Sequence, residues 1–371
     1  VAATYRYDFG PEGEPAQEGY IKVTDNQAYD TKLGYGFLDP SQVTAKKREE
    51  QSGIEGDFCI PFDSVFVVDV PNGSYMVTVT IGDAVLPTVT TLKAGTGHIV
   101  FQNKRTVPGQ FIRESFSAYV RNGQLRLAFS GKAPRINALE IVPAPHAVKI
   151  FIAGDSTAAD QPEEGYPYAG WGQMLGMYFK HDVVIANHAY SGRSSRSFIL
   201  EGRLEAIKEE MQKDDFLFIQ FGHNDQKKDP ERGTDPHTSY VEHLMQYIEA
   251  ARNTGAHPVL LTSVQRRYFH EDGTLQDTHG EYLTAMRKLA EEQQVPLIDL
   301  AEKTKKLYEE LGPERSKSLF MWGAKGEFEN FPAGIQDNTH FQEYGAVKIA
   351  GLVAEGIREL NLWPLTMYLR S

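Results

Sequence analysis

The sequence predicts two domains of different class. Residues 1–145 read as an all-β sandwich or jelly roll, and residues 146–371 as a doubly wound, three-layer α/β/α domain. Three observations carry this. To about Val142 the apolar residues recur with period two. From Val148 onward, short apolar runs alternate with helical stripes. Between them Pro143-Ala144-Pro145-His146 reads as a linker, because its prolines donate no backbone hydrogen bonds and stiffen the join.

In the first part Tyr75, Val77, Val79 and Ile81 alternate with Met76, Thr78 and Thr80, the pattern of a half-buried strand. Asn72-Gly73 precedes that strand, and Asn122-Gly123 separates Phe116–Arg121 from Gln124–Phe129. Asn-Gly is a strong signal for a two-residue hairpin, since both positions tolerate positive φ. One short helical stretch is expected near Thr44–Glu50. Many short strands joined by such turns predict a sandwich or jelly roll.

In the second part the strands are expected at Lys149–Ala153, Val183–Asn187, Phe216–Phe221, Pro258–Thr262 and Pro296–Leu300. Their near-continuous apolar character suits strands covered on both faces. Helical stripes fall between them: Leu200, Leu204, Ile207 and Met211, then Tyr240, Leu244, Tyr247 and Ala251. A last stripe, Ala346, Ile349, Val353, Ile357 and Leu360, closes the chain. Alternating strand and helix predicts a parallel sheet with ligands beyond the carboxyl ends of its strands.

Composition narrows the function. The chain has 371 residues, 41% of them hydrophobic, enough for a real core. Its formal net charge is −12, which argues against a general nucleic-acid binder, since that needs a basic surface. No apolar run is long enough to span a membrane. The single cysteine, Cys59, excludes an intramolecular disulfide and a multi-cysteine metal site, and reads as a buried core thiol. The chain starts with Val1-Ala2-Ala3, read either as a remnant of leader cleavage or as an arbitrary boundary.

Each loop after a strand then has an ordinary and a functional reading. Gly154-Asp155-Ser156-Thr157 is a helix N-cap or a turn that presents Ser156 to the crevice; the glycine pattern of a phosphate loop is missing. Asn187–Arg196 is a polar loop, or one in which Gly192 lets backbone approach a ligand and offer an N–H. Gly222-His223-Asn224-Asp225 is a self-bonded turn, or one that aims the Asn224 amide at a developing oxyanion. Asp337-Asn338-Thr339-His340 is a capping Asp with a surface His, or a relay in which His340 takes the proton of Ser156 and Asp337 orients the imidazole.

Taken together in chain order, Gly-Asp-Ser, Gly, Gly-x-Asn-Asp and Asp-x-x-His resemble the blocks of the GDSL/SGNH hydrolase superfamily. Ala153–Ala159, Gly170-Trp171-Gly172, Asn187…Gly192-Arg193-Ser194-Ser195, Gly222–Asp225 and Asp337–Phe341 resemble its rhamnogalacturonan acetylesterase branch. The likeness covers about Lys149–Leu360. Thr157 stands where many members have Leu, a variant usual for this branch. The first domain is similar to galactose-binding-like modules of some bacterial members, without a sharp motif.

The resemblance implies a flavodoxin-like SGNH domain and a serine esterase that needs no cofactor and no metal. It implies Ser156 as nucleophile, His340 as base and Asp337 as its orienting carboxylate. The oxyanion would be met by the Ser156 and Gly192 backbone N–H groups and the Asn224 amide. Asp155 and Asp225 are expected to brace turns. Because His340 must be neutral to act, the rate is expected to rise with pH. The implied substrate is an acetylated polysaccharide, acetylated rhamnogalacturonan, with Arg193, Trp171 and His223 as substrate-binding residues; His223 is also expected to shape its loop, with no proton role. Arg193, Arg196, Arg266 and Arg267 are candidate partners for a galacturonate carboxylate; the ordinary reading is a solvated pair. The expected location is extracellular, with a cytoplasmic alternative.

Three other readings stay open. An SGNH esterase or lipase would act on xylan or small acyl esters. A carbohydrate-binding protein would carry a spent SGNH scaffold. A metallophosphoesterase would need its Asn and His in the opposite order to Gly222-His223-Asn224-Asp225, and an upstream Asp-x-His, whereas Asp277-Thr278-His279 comes too late.

Overall fold

The computed structural model describes residues 3–371; Val1 and Ala2, part of the start read as a cleavage remnant, lie outside the described residues. The chain forms two compact units. One runs to Ala147 and takes in Phe179–Val184; the other comprises Val148–Tyr178 and Ile185–Ser371. Among the described residues no helix is long and apolar enough to cross a membrane.

The first unit has two five-stranded sheets. One is ordered Phe111–Val120, Gly73–Gly82, Ala138–Pro143, Tyr5–Phe9, Ile21–Val23; the other Tyr35–Phe37, Ser64–Asp69, Gln124–Ala133, Thr88–Ala94, His98–Thr106. All the neighbours pair antiparallel except Tyr5–Phe9 with Ile21–Val23. Tyr75, Val77, Val79 and Ile81 are buried, as their alternation requires. They join an aromatic cluster in which Phe66 packs edge-on to Phe9 at 5.0 Å and Phe37 at 5.1 Å. Cys59 is buried in the same core, and burial pushes its thiol pKa up.

Two local expectations are corrected here. The Asn-Gly pairs make no hairpins: each carries the chain from one sheet to the other. Gly123 takes φ +76°, but Asn122 stays out of the positive region that a type I′ turn demands of both residues. The two turns bond each other instead, Gly123 N–H donating to Asn72 Oδ1 at 2.8 Å. Thr44–Glu50 is not helical. Val43–Lys47 is a strand paired antiparallel with Asp57–Pro61, so pairing overrides a weak local pattern.

The second unit is built on the sheet order Val183–Asn187, Val148–Gly154, Phe216–Gln220, His257–Leu261, Leu297–Ile298. Numbered along this unit, that order is 2-1-3-4-5, the flavodoxin-like arrangement, with its topological switch between the first and third strands. The first and third, third and fourth, and fourth and fifth strands pair in parallel. Their residues are almost all buried, which is why they read as continuous apolar runs. Ser195–Leu200, Arg203–Glu210, Ser239–Thr254 and Glu281–Gln293 pack as one group of helices; Trp171–Met174, Leu300–Arg315 and Glu343–Glu359 form another. Tyr240, Leu244, Tyr247 and Ala251 face the core, as do Ala346, Ile349, Val353 and Ile357. The stripe from Leu200 to Met211 is broken: Gly202, at φ +78°, separates two short helices and leaves Leu200 exposed. Leu360 lies beyond the last stripe as a half-exposed cap.

A small antiparallel sheet, ordered Tyr168–Ala169, Ile335–Gln342, Phe320–Gly323, completes this unit. Its central strand carries Asp337 and His340.

Candidate active site

Ser156 lies two residues past the end of the first parallel strand, in a turn tied by Asp155. Asp155 Oδ1 accepts from the Thr157 N–H at 2.9 Å and the Thr157 hydroxyl at 2.7 Å, while its carbonyl accepts from Ala158 and Ala159 N–H. Gln161 Nε2 donates to the Ser156 carbonyl at 3.0 Å and to Ser191 Oγ at 3.2 Å, linking the Ser156 turn to the next loop. Asp155 is fully buried, and burial raises its pKa. It is therefore a brace and not a solvent-facing base.

His340 comes from the central strand of the small sheet. Phe341 is buried between Ala169 and Phe320 in that sheet, which turns His340 to the opposite face. His340 Nε2 lies 2.9 Å from Ser156 Oγ, and His340 Nδ1 lies 2.8 Å from Asp337 Oδ2. Asp337 Oδ1 accepts from the Thr339 and His340 backbone N–H groups. Burial alone would raise the Asp337 pKa; the hydrogen bonds from His340 and those N–H groups, with the His340 charge, hold it below the usual value. The arrangement can move a proton from a serine hydroxyl to an imidazole whose tautomer is fixed from behind.

Gly192, at φ +80°, and Asn224 lie on the loops after the second and third parallel strands. Asn224 Nδ2 donates to the Arg193 carbonyl at 3.1 Å, so the two loops hold each other. Asp225 strengthens the clamp by accepting from Ser195 N–H at 3.0 Å, Ser195 Oγ at 2.5 Å and Thr234 Oγ1 at 2.9 Å. Its burial dominates these bonds and pushes its pKa up to about 6. A carboxyl raised from 3.8 to about 6 on folding contributes stability below pH 3.8 that is lost as pH rises through 6. We expect the unfolding free energy of the wild type, relative to Asp225→Asn, to fall by about 3 kcal/mol between pH 3.5 and 7. Urea titrations across that range check this; a difference that stays flat or grows contradicts it.

The three residues expected to bind substrate fare differently. Trp171 is corrected: it is fully buried, and its Nε1 donates to Gln220 Oε1 at 2.8 Å. It belongs to the core beneath the sheet end. Trp171→Ala is expected to cost about 3–5 kcal/mol of stability, read from the urea midpoint. Of the two expectations for His223, the structure favours the loop-shaping one. It is buried, with Nδ1 2.9 Å from His279 Nε2, and burial holds its pKa well below the usual value and that of His279 down to about 3. This is a neutral pair that shapes a loop. Arg193 stays half-exposed, but its Nε already donates to Glu201 at 2.8 Å and its Nη1 to the Ser191 carbonyl at 2.8 Å. Of the other arginines, Arg267 is buried against Asn338 and Pro313, and Arg266 bonds Thr278.

Sequence reading missed Tyr168. Its ring packs on His340 with centroids 5.1 Å apart. Burial raises its pKa strongly, so it stays a phenol. It sits on a two-residue strand whose partner lies more than 170 residues on, and no local pattern announces that. Gln161 was missed for the same reason. Among the described residues no three His, Cys, Asp or Glu side chains are grouped to hold a metal ion.

Comparison with known proteins identifies the family of both domains. Residues 152–345 match the GDSL-like Lipase/Acylhydrolase family, and residues 5–141 match the Beta-agarase/YXIM esterase-like, galactose-binding domain-like family. The chain is 53% identical over 224 residues to rhamnogalacturonan acetylesterase RhgT of Bacillus subtilis, covering 60% of this chain and 95% of that protein. It is 29% identical over 376 residues to the uncharacterized esterase YxiM of the same organism, covering 96% and 91%. The crystal structure of YxiM superposes with a TM-score of 0.53 at 27% identity, covering 97% of this chain and 99% of that one. The chain thus belongs to the GDSL-like lipase/acylhydrolase family, with a galactose-binding-like β domain ahead of the hydrolase domain.

Proposed function

We propose that this carboxylic ester hydrolase removes acetyl groups from acetylated rhamnogalacturonan. The observation that carries the chemistry is the continuous hydrogen-bonded chain from Ser156 through His340 to Asp337. The substrate rests on the likeness to RhgT, whose name states that activity.

In this reading Ser156 Oγ attacks the acetyl carbonyl as His340 Nε2 takes its proton, and Asp337 stabilises the imidazolium. The oxyanion is met by the Ser156 and Gly192 N–H groups and by the Asn224 amide. One N–H of that amide is spent on the Arg193 carbonyl, which aims the other. His340 returns the proton to the sugar oxygen, the deacetylated polymer leaves, and water hydrolyses the acetyl-enzyme by the same relay. The β domain, residues 1–145, contacts the polymer, while residues 146–371 do the chemistry. Pectin degradation of this kind takes place outside the cell, because a polymer of that size does not cross a membrane.

Acetate release from acetylated rhamnogalacturonan, with acetylated xylan as control, tests the reading. Release from the pectic polymer in preference to xylan is expected. Release from xylan or small esters alone keeps the relay and discards the substrate, and no release from any ester discards the enzyme reading.

A further inference from the structure

Beside the loop that carries Gly192, two arginines share one carboxylate. Arg193 Nε and Arg203 Nε both donate to Glu201 Oε2 at 2.8 Å. Both guanidinium groups also lie over the Tyr190 ring, Arg193 at 4.5 Å and Arg203 at 3.8 Å from its centroid. Tyr190 is 48% exposed, and the three charged side chains are about one-third exposed. The first cause of the lowered Glu201 pKa is its bond to Arg193, and Arg203 adds to it, so the carboxylate stays ionised.

The charges do not cancel. Two guanidinium groups against one carboxylate leave a positive charge at the rim of a site on a chain of net charge −12. A simple ion pair would be neutral and worth little. Here the ring and Glu201 hold two planar forks in place, which lowers the entropy cost of binding a further carboxylate. Arg203 engages Glu201 through Nε, and among the described residues neither of its NH₂ groups has a partner. The Arg193 backbone meanwhile receives the Asn224 amide, which ties this cluster to the oxyanion loops.

We propose that Arg203 and Arg193, held over Tyr190 by Glu201, form a subsite for the carboxylate of a uronic acid residue near the acetylated sugar. This rests on the acetylesterase reading above and extends it: the enzyme selects acidic polymers by charge at this rim. Arg203 had no functional reading in the sequence, and the arrangement places it in the same subsite as Arg193.

The test compares kcat/KM for acetate release from acetylated rhamnogalacturonan and from the same polymer with its carboxyl groups reduced. The ratio of the two values is the readout. Arg203→Gln is expected to lower the ratio about tenfold, the worth of one charge-assisted hydrogen bond. Arg203→Glu lowers it further. Glu201→Gln keeps an amide oxygen that accepts from both Nε groups and holds the forks, but removes the competing negative charge, and so raises it. These opposite signs cannot come from loss of folding. An unchanged ratio in all three variants overturns the subsite, and so does a fall in the ratio with both Arg203→Gln and Glu201→Gln. If the wild type releases no acetate from either polymer, the acetylesterase reading itself is overturned and the subsite with it.

Discussion

Replacing Ser156 by Ala is expected to lower kcat by about 10⁶-fold, the size of effect seen when a serine hydrolase loses its nucleophile. The physical reason is specific to this site. Ser156 Oγ is the hydroxyl 2.9 Å from His340 Nε2, and Ala158 and Ala159 hydrogen-bond the Asp155 carbonyl without using it. The turn keeps its backbone bonds and the bond from Gln161 to the Ser156 carbonyl, so the fold and the oxyanion donors survive the change. Residual activity of about 10³–10⁴ over the uncatalysed rate is expected from those donors and from binding alone. Steady-state rates on p-nitrophenyl acetate, with the melting temperature as a control, check this. A variant retaining more than a hundredth of wild-type kcat contradicts the role of Ser156.

Asp337→Asn is expected to cost about 10⁴-fold in kcat with little change in KM. Asp337 Oδ1 is held by two backbone N–H groups, so the amide oxygen of Asn takes that place and its NH₂ faces His340 Nδ1. The imidazole must then accept at Nδ1 and carry its proton on Nε2. In that tautomer it cannot take the proton of Ser156. The geometry is preserved while the chemistry fails, so kcat is expected to fall while KM stays within about threefold. A loss shared equally between kcat and KM points instead to a displaced loop.

Some parts of this molecule were legible in local sequence and others were not. The parallel strands could be read because burial on both faces leaves few choices of residue, as in Ile150–Ala153 and Phe216–Ile219. The motif residues Ser156, Gly192 and Asn224 could be placed at strand ends because the sheet topology brings those ends together. The Asn-Gly turns misled because the dipeptide permits a hairpin without requiring one, and sheet pairing took the strands elsewhere.

Trp171 misled for another reason. Its substrate-binding role came only from the family resemblance of Gly170-Trp171-Gly172. In fact a Cβ at Gly170 or Gly172 would run into the Ala158–Ala159 backbone, so the glycines let this segment close on the Ser156 turn and send the indole inward. Tyr168 and Arg203 carry no local signal at all. Tyr168 gains its meaning only when its strand pairs with the one bearing His340, and Arg203 lies past the break at Gly202, where the expected helix was read as continuous.

The most direct measurement is covalent labelling with a reactive organophosphate ester, followed by peptide mass spectrometry. Such a reagent phosphorylates a serine that is activated by its own base. One label per chain, on the peptide carrying Ser156, with loss of esterase activity in step, is the predicted result. No label in Asp337→Asn over the same time is predicted as well. Labelling at another residue, or full esterase activity after Ser156 is labelled, would contradict the account.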